Sequence, residues 1–118
     1  MSQPKILIEK TYSLLVAEAA NERLINYGQL YEQIGVDNRD PRERRRGSDI
    51  LTEVNKISLK EKDVMISSIV VKQDTQIPGG MYFSLAIEFG KLLESASEEE
   101  RICFWQEECK RVYAAYTK

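Results

Sequence analysis

Five arginines fall within eight residues of this chain, Arg39, Arg42, Arg44, Arg45 and Arg46, although its formal net charge is -2. Guanidinium groups at this density suit phosphate oxygens, which they meet bidentately, or the guanine edge in a major groove. Asp37, Asp40, Glu43 and Asp49 are interleaved with them, so the stretch from Asp37 to Asp49 carries a net charge of only +1. Glu43 is placed to pair with Arg46 at helical spacing, or with Arg39, which competes with an external anion. The position of the cluster argues for recognition more strongly than its charge does.

Other chemistries have less to work with. The chain has no histidine, which removes a His-dependent triad, a histidine general base and a His-ligated metal centre. Cys103 and Cys109 are expected on one helix, about 9 Å apart along its axis and beyond disulfide reach. Without histidine a two-cysteine zinc site would need carboxylates, so both read as buried or half-buried thiols, with no metal and no cofactor expected. Ser67, Ser68, Asp74 and Thr75 are polar residues near a strand and a turn, without a base to activate them. Tyr82, Phe83 and Trp105 read as core filling. The expectation is a protein that is not an enzyme.

The elements that must position the arginines are legible from periodicity and caps. Ile8, Tyr12, Leu15 and Ala19 form one apolar stripe on a helix from about Pro4 to Glu22. Asn26 followed by Gln29 is a capping box opening a short helix from Tyr27 to Ile34, ended by Gly35. Asp40-Pro41-Arg42-Glu43 signals a third helix to about Ser58, whose inner face is Gly47, Ile50, Leu51, Val54 and Ile57. A rival reading starts this helix after Gly47, with Ser48 as its cap and the arginines on a loop, because glycine in a helix interior costs about 1 kcal/mol. Met65 to Val71 reads as a strand, Lys72 to Gly80 as a turn and Met81 to Phe83 as the returning strand, before a helical stretch from Leu85 to Leu93. Ser97 with Glu100 caps a last helix to about Tyr116.

The expected fold class is therefore α+β and mainly helical: a winged helix-turn-helix-like core with a β-hairpin wing. One domain is expected over residues 1–118, its core at about 25–83 and its flanking N- and C-terminal helices at 4–22 and 97–116.

Asn26-Tyr27-Gly28-Gln29-Leu30 with Ile34-Gly35 resembles the Thr-Tyr-Gly-Glu-Leu-Ala…Ile-Gly opening of the winged-helix domain in the alkylguanine-DNA alkyltransferase and alkyltransferase-like families. Arg46-Gly47 with Leu51 is similar to their recognition helix, and Val70-Val71 and Gly79-Gly80 fall near their Val-Val strand and glycine-bearing wing. The resemblance covers about residues 25–82 and implies a DNA-binding winged helix. Their Pro-Cys-His-Arg signature is absent, with Met65-Ile66-Ser67-Ser68 in its approximate place, so alkyl transfer to cysteine is not expected.

On this reading duplex DNA is the expected partner, contacted by Arg39, Arg42, Arg45, Arg46 and Lys56 from the third helix and its approach, and by Lys72 from the wing. Arg45 points directly away from the Val54 stripe, whereas Arg44 and Arg46 flank the core face. The alternative is a protein-binding or inhibitor module of an immunity or phage-defence type. It would dock a basic partner such as a nuclease or toxin through Phe104, Glu107, Glu108 and Arg111 of the acidic last helix. A homodimer is a further candidate. No apolar run is longer than five residues, so no membrane partner is expected. The first twenty residues read as a charged helix rather than a leader, which makes the cytoplasm the expected compartment.

Overall fold

The computed structural model describes residues 3–117; residues 1, 2 and 118 of the expected domain lie outside it. In order, the elements are α1 (Gln3–Ala20), β1 (Ile25–Asn26), α2 (Tyr27–Ile34) and α3 (Pro41–Lys62). A 3₁₀ turn (Ile66–Ile69), β2 (Val70–Val71), α4 (Gly80–Glu88) and α5 (Glu98–Tyr116) follow. The protein is α+β and mainly helical.

The caps are formed as the sequence predicts. Gln29 donates its backbone N–H to Asn26 Oδ1 at 2.8 Å, and Asn26 returns its own N–H to Gln29 Oε1 at 3.1 Å. Gly35 ends α2 at φ 78. Ser97 and Glu100 make the same reciprocal pair at the start of α5. Asp40 accepts from Arg42 N–H at 2.9 Å with Pro41 behind it, so α3 starts at Pro41 and not after Gly47. The helix then runs four residues beyond Ser58 to Lys62, where Asp63 adopts a left-handed conformation at φ 57.

The strands differ from expectation. Val70 and Val71 alone extend, pairing in parallel with Ile25 and Asn26 of β1. Residues 66–69 instead coil into a 3₁₀ turn because their polar groups find partners on all sides. Asn55 holds Ser67 at two points, its Nδ2 donating to Oγ at 2.7 Å and its Oδ1 accepting the backbone N–H at 3.0 Å. Ser58 Oγ accepts from Ile66 N–H, and the Trp105 indole N–H donates to Ser68 O at 2.8 Å. Met81–Phe83 is likewise no strand but the first turn of α4, which places Tyr82, Leu85 and Ala86 on one buried face. No β-hairpin wing is formed among the described residues: Lys72 to Gly79 is a loop closed by Lys72 N–H on Ile77 O at 2.9 Å.

The core has two parts. Leu15 and Ala19 of α1 pack with Leu30 and Ile34 of α2, Ile50, Leu51 and Val54 of α3, and Val112 of α5. A second cluster joins Met65 to Tyr82, Phe83, Leu85 and Ala86 of α4, with Phe104 and Trp105 of α5 against it. Burying these side chains, at about 1.5–3 kcal/mol each, fixes α3 between α1 and the 3₁₀ turn and leaves its N-terminal turns at the edge of the molecule.

Candidate nucleic-acid interface

The arginine cluster divides according to which carboxylate each side chain meets. Arg39 folds onto Asp37, its Nε 3.3 Å from Oδ1, with the side chain 93% exposed. The carboxyl of Asp37 is held below its usual range by the backbone N–H of Arg39 and then by its guanidinium. Arg46 pairs with Glu43 at 3.3 Å, and Lys56 with Glu53 at 3.0 Å. The Arg46–Glu43 pair is the helical competitor anticipated, whereas Arg39 meets Asp37 in the loop instead of Glu43. These pairs use the interleaved acids on Arg39 and Arg46 and leave Arg42, Arg44 and Arg45 without a carboxylate partner among the described residues.

Arg44 and Arg45 border a cavity of about 470 Å³ between the start of α2, the N-terminal turns of α3 and the loop after β2. Lys72 enters from that loop. Three cations therefore line one groove, and no carboxylate does. A local charge that is weak along the chain is more concentrated in space, because none of the interleaved acids lines the groove.

The floor of the groove is aromatic. Tyr27 and Tyr31 lie with ring centres 6.0 Å apart and planes tilted by 59°. Tyr27 Oη accepts the Gly79 N–H at 3.1 Å, which ties α2 to the end of the 72–79 loop. Burial raises the Tyr27 pKa, with the Gly79 hydrogen bond opposing it. Burial also pushes Tyr31 up to about 12, helped by nearby Tyr27 and opposed by the Ser48 hydroxyl. Both phenols stay neutral at ordinary pH and do not dilute the positive field.

The predicted duplex-contacting residues thus separate. Arg45 and Lys72 come together in the groove. Arg42 is exposed outside it, Arg39 and Arg46 are occupied by neighbouring acids, and Lys56 lies about 16 Å along the helix axis from Arg45. Arg44 was expected to guard the edge of the core. It is exposed, hydrogen-bonds Asn38 O at 3.0 Å and forms a wall of the groove. A groove between two helices is bordered by the residues at the edge of each apolar face, so the edge position that suggested packing is the signal for Arg44. Tyr27, Tyr31 and Ser48 carry no such signal beyond their helical register.

The acidic last helix offers less surface than its sequence suggests. Glu108 is 2% exposed, a correction to its expected place on an open face. It accepts the Met65 N–H at 2.9 Å and pairs with Arg111 at 2.9 Å and Lys91 at 3.7 Å. Arg111 also reaches Asp63, so it staples α5 to the end of α3. Phe104 is half-buried, its ring 6.2 Å from that of Tyr82. Glu107 is exposed and paired with Lys110. Of the two thiols, Cys109 is buried and Cys103 is exposed, against the expectation that both would be covered.

No helix among the described residues is long and apolar enough to cross a membrane. No family model matches the chain, and no curated protein or solved structure matches it either.

Proposed function

We propose that the protein binds duplex DNA without catalysing a reaction, engaging the phosphate backbone with Arg44, Arg45 and Lys72. The observation that carries this reading is their convergence on one groove that contains no carboxylate. Arg44 and Arg45 sit in the first two turns of α3, the part of a recognition helix that approaches a groove of DNA. Arg42, exposed on the same turns, extends the contact along the backbone. Lys72 takes, from a loop, the role of a wing residue. The resemblance of Asn26–Leu30, Ile34-Gly35 and Arg46-Gly47 with Leu51 to the alkyltransferase helices supports the same reading, although the wing part of that resemblance is not formed. Arg39, Arg46 and Lys56 contribute less, because each would exchange an existing carboxylate for a phosphate.

The test is fluorescence anisotropy of a short labelled duplex titrated with the full chain. Binding at about 50 mM salt that weakens by about 40- to 150-fold toward about 200 mM is the expected result. Absence of binding at the lower salt overturns the proposal.

A further inference from the structure

A second cavity, of about 510 Å³, shares Lys72 with the groove and is otherwise built from different residues. Its size is in the range of small-molecule sites. One wall is apolar, formed by Ile77, Pro78, Phe83 and Ile102. That wall is preformed: the Lys72 N–H to Ile77 O bond closes the loop, and the Phe83 ring packs edge-on against Tyr82 at 5.1 Å. A ligand entering it has little ordering cost to meet.

The polar side is mostly cationic. Lys72 and Arg101 line the cavity together with one acid, Glu98. Neither cation has an ion-pair partner among the described residues. Arg101 donates only Nε, to Ala96 O at 3.4 Å, which leaves its terminal nitrogens for another acceptor. Glu98 opposes a second negative charge.

From these groups we infer that the cavity binds a small organic monoanion, a carboxylate on an aromatic or branched aliphatic body. The body packs on Phe83, Ile77, Pro78 and Ile102, and the carboxylate meets Arg101 and Lys72. A bare inorganic anion gains nothing from the apolar wall, and a neutral molecule leaves both cations without a partner. The site shares Lys72 with the groove but does not rest on the duplex reading, and its test contains no DNA.

The experiment is a titration of the isotopically labelled full chain, followed by amide shifts, with 3-phenylpropionate, with its neutral amide 3-phenylpropionamide and with inorganic phosphate. The expected result is saturable shifts around Ile77, Gly80 and Ile102 for the carboxylate, with Kd of about 1 mM or tighter. The amide and phosphate bind at least about tenfold more weakly, and Arg101→Gln weakens the carboxylate by about tenfold without affecting the amide. Lys72→Gln, on an exposed loop, provides a second variant should Arg101→Gln perturb the fold. Absence of saturable shifts at about 10 mM, equal binding of acid and amide, or indifference to both substitutions overturns the inference.

Discussion

The ring of Tyr31 lies against the backbone of Gly47, so near that a Cβ built on Gly47 would stand 2.7 Å from the Tyr31 Cζ. This approach draws α2 onto α3 and sets the floor of the cationic groove at the level of Arg44 and Arg45. It also explains a glycine inside a helix. Gly47→Ala gains about 1 kcal/mol of helix propensity but must displace a ring that is 4% exposed and packed beside Tyr27. Overpacking of this kind costs about 1–3 kcal/mol. The substitution is therefore expected to destabilise the protein in urea unfolding, and adding Tyr31→Leu to it is expected to restore part of the loss. A Gly47→Ala protein as stable as the parent contradicts the packing.

Glu107 and Glu108 are neighbours in sequence with opposite consequences. Glu108→Ala removes the acceptor of the Met65 N–H and leaves Lys91 and Arg111 without their buried partner. Both cations keep Asp63 as a partner, so the main loss is the buried Met65 N–H left without an acceptor, about 1–3 kcal/mol. Glu107→Ala breaks only the exposed pair with Lys110 and is expected to change stability by less than about 0.5 kcal/mol. Equilibrium urea curves of the two variants separate these outcomes, and equal midpoints contradict the assignment of Glu108 to the interior.

The two thiols should differ in the same way. Cys103 is exposed, whereas Cys109 is buried with its Sγ donating to Ser68 O at 3.3 Å. Burial first, then the Glu108 charge, push the Cys109 thiol from 9.0 up to about 12. A disulfide reagent should thus titrate one thiol rapidly in the native protein and two after unfolding. The same shift carries a pH dependence. Between pH 9 and about 12 the unfolded chain has released a proton that the folded chain retains. Stability from this group is complete below pH 9 and falls as pH rises above it. Cys109→Ala should flatten the alkaline decline of the melting temperature, and an unchanged slope contradicts the shift.

What the sequence makes legible is local, and the rest depends on contacts distant along the chain. The capping boxes at Asn26 and Ser97 are written within four residues, and the structure forms both. Val70 and Val71 do extend, but β-branching does not reveal that Ser67 and Ser68 have Asn55 and Tyr82 waiting for them. Those partners coil the preceding residues into a 3₁₀ turn. Met81 to Phe83 is too short for periodicity to distinguish a strand from a first helical turn. Glu108 is the clearest case: its acceptor role is fixed by Met65, 43 residues away. In the groove, Arg45 and Lys72 could be named from position, but Arg44 required knowing that α2 lies along its edge of α3.

On the proposed function, charge recognition resides in the groove and not in the arginine-rich stretch as a whole. Two triple variants with equal loss of charge decide it: Arg44→Ala/Arg45→Ala/Lys72→Ala, and Arg39→Ala/Arg46→Ala/Lys56→Ala. Each phosphate contact contributes about 0.9 to the slope of log affinity against log salt for duplex DNA. The groove variant is expected to lose about two to three units of that slope and at least tenfold in affinity. The second variant is expected to retain most of both. Equal losses in the two variants, or a larger loss in the second, contradict the account.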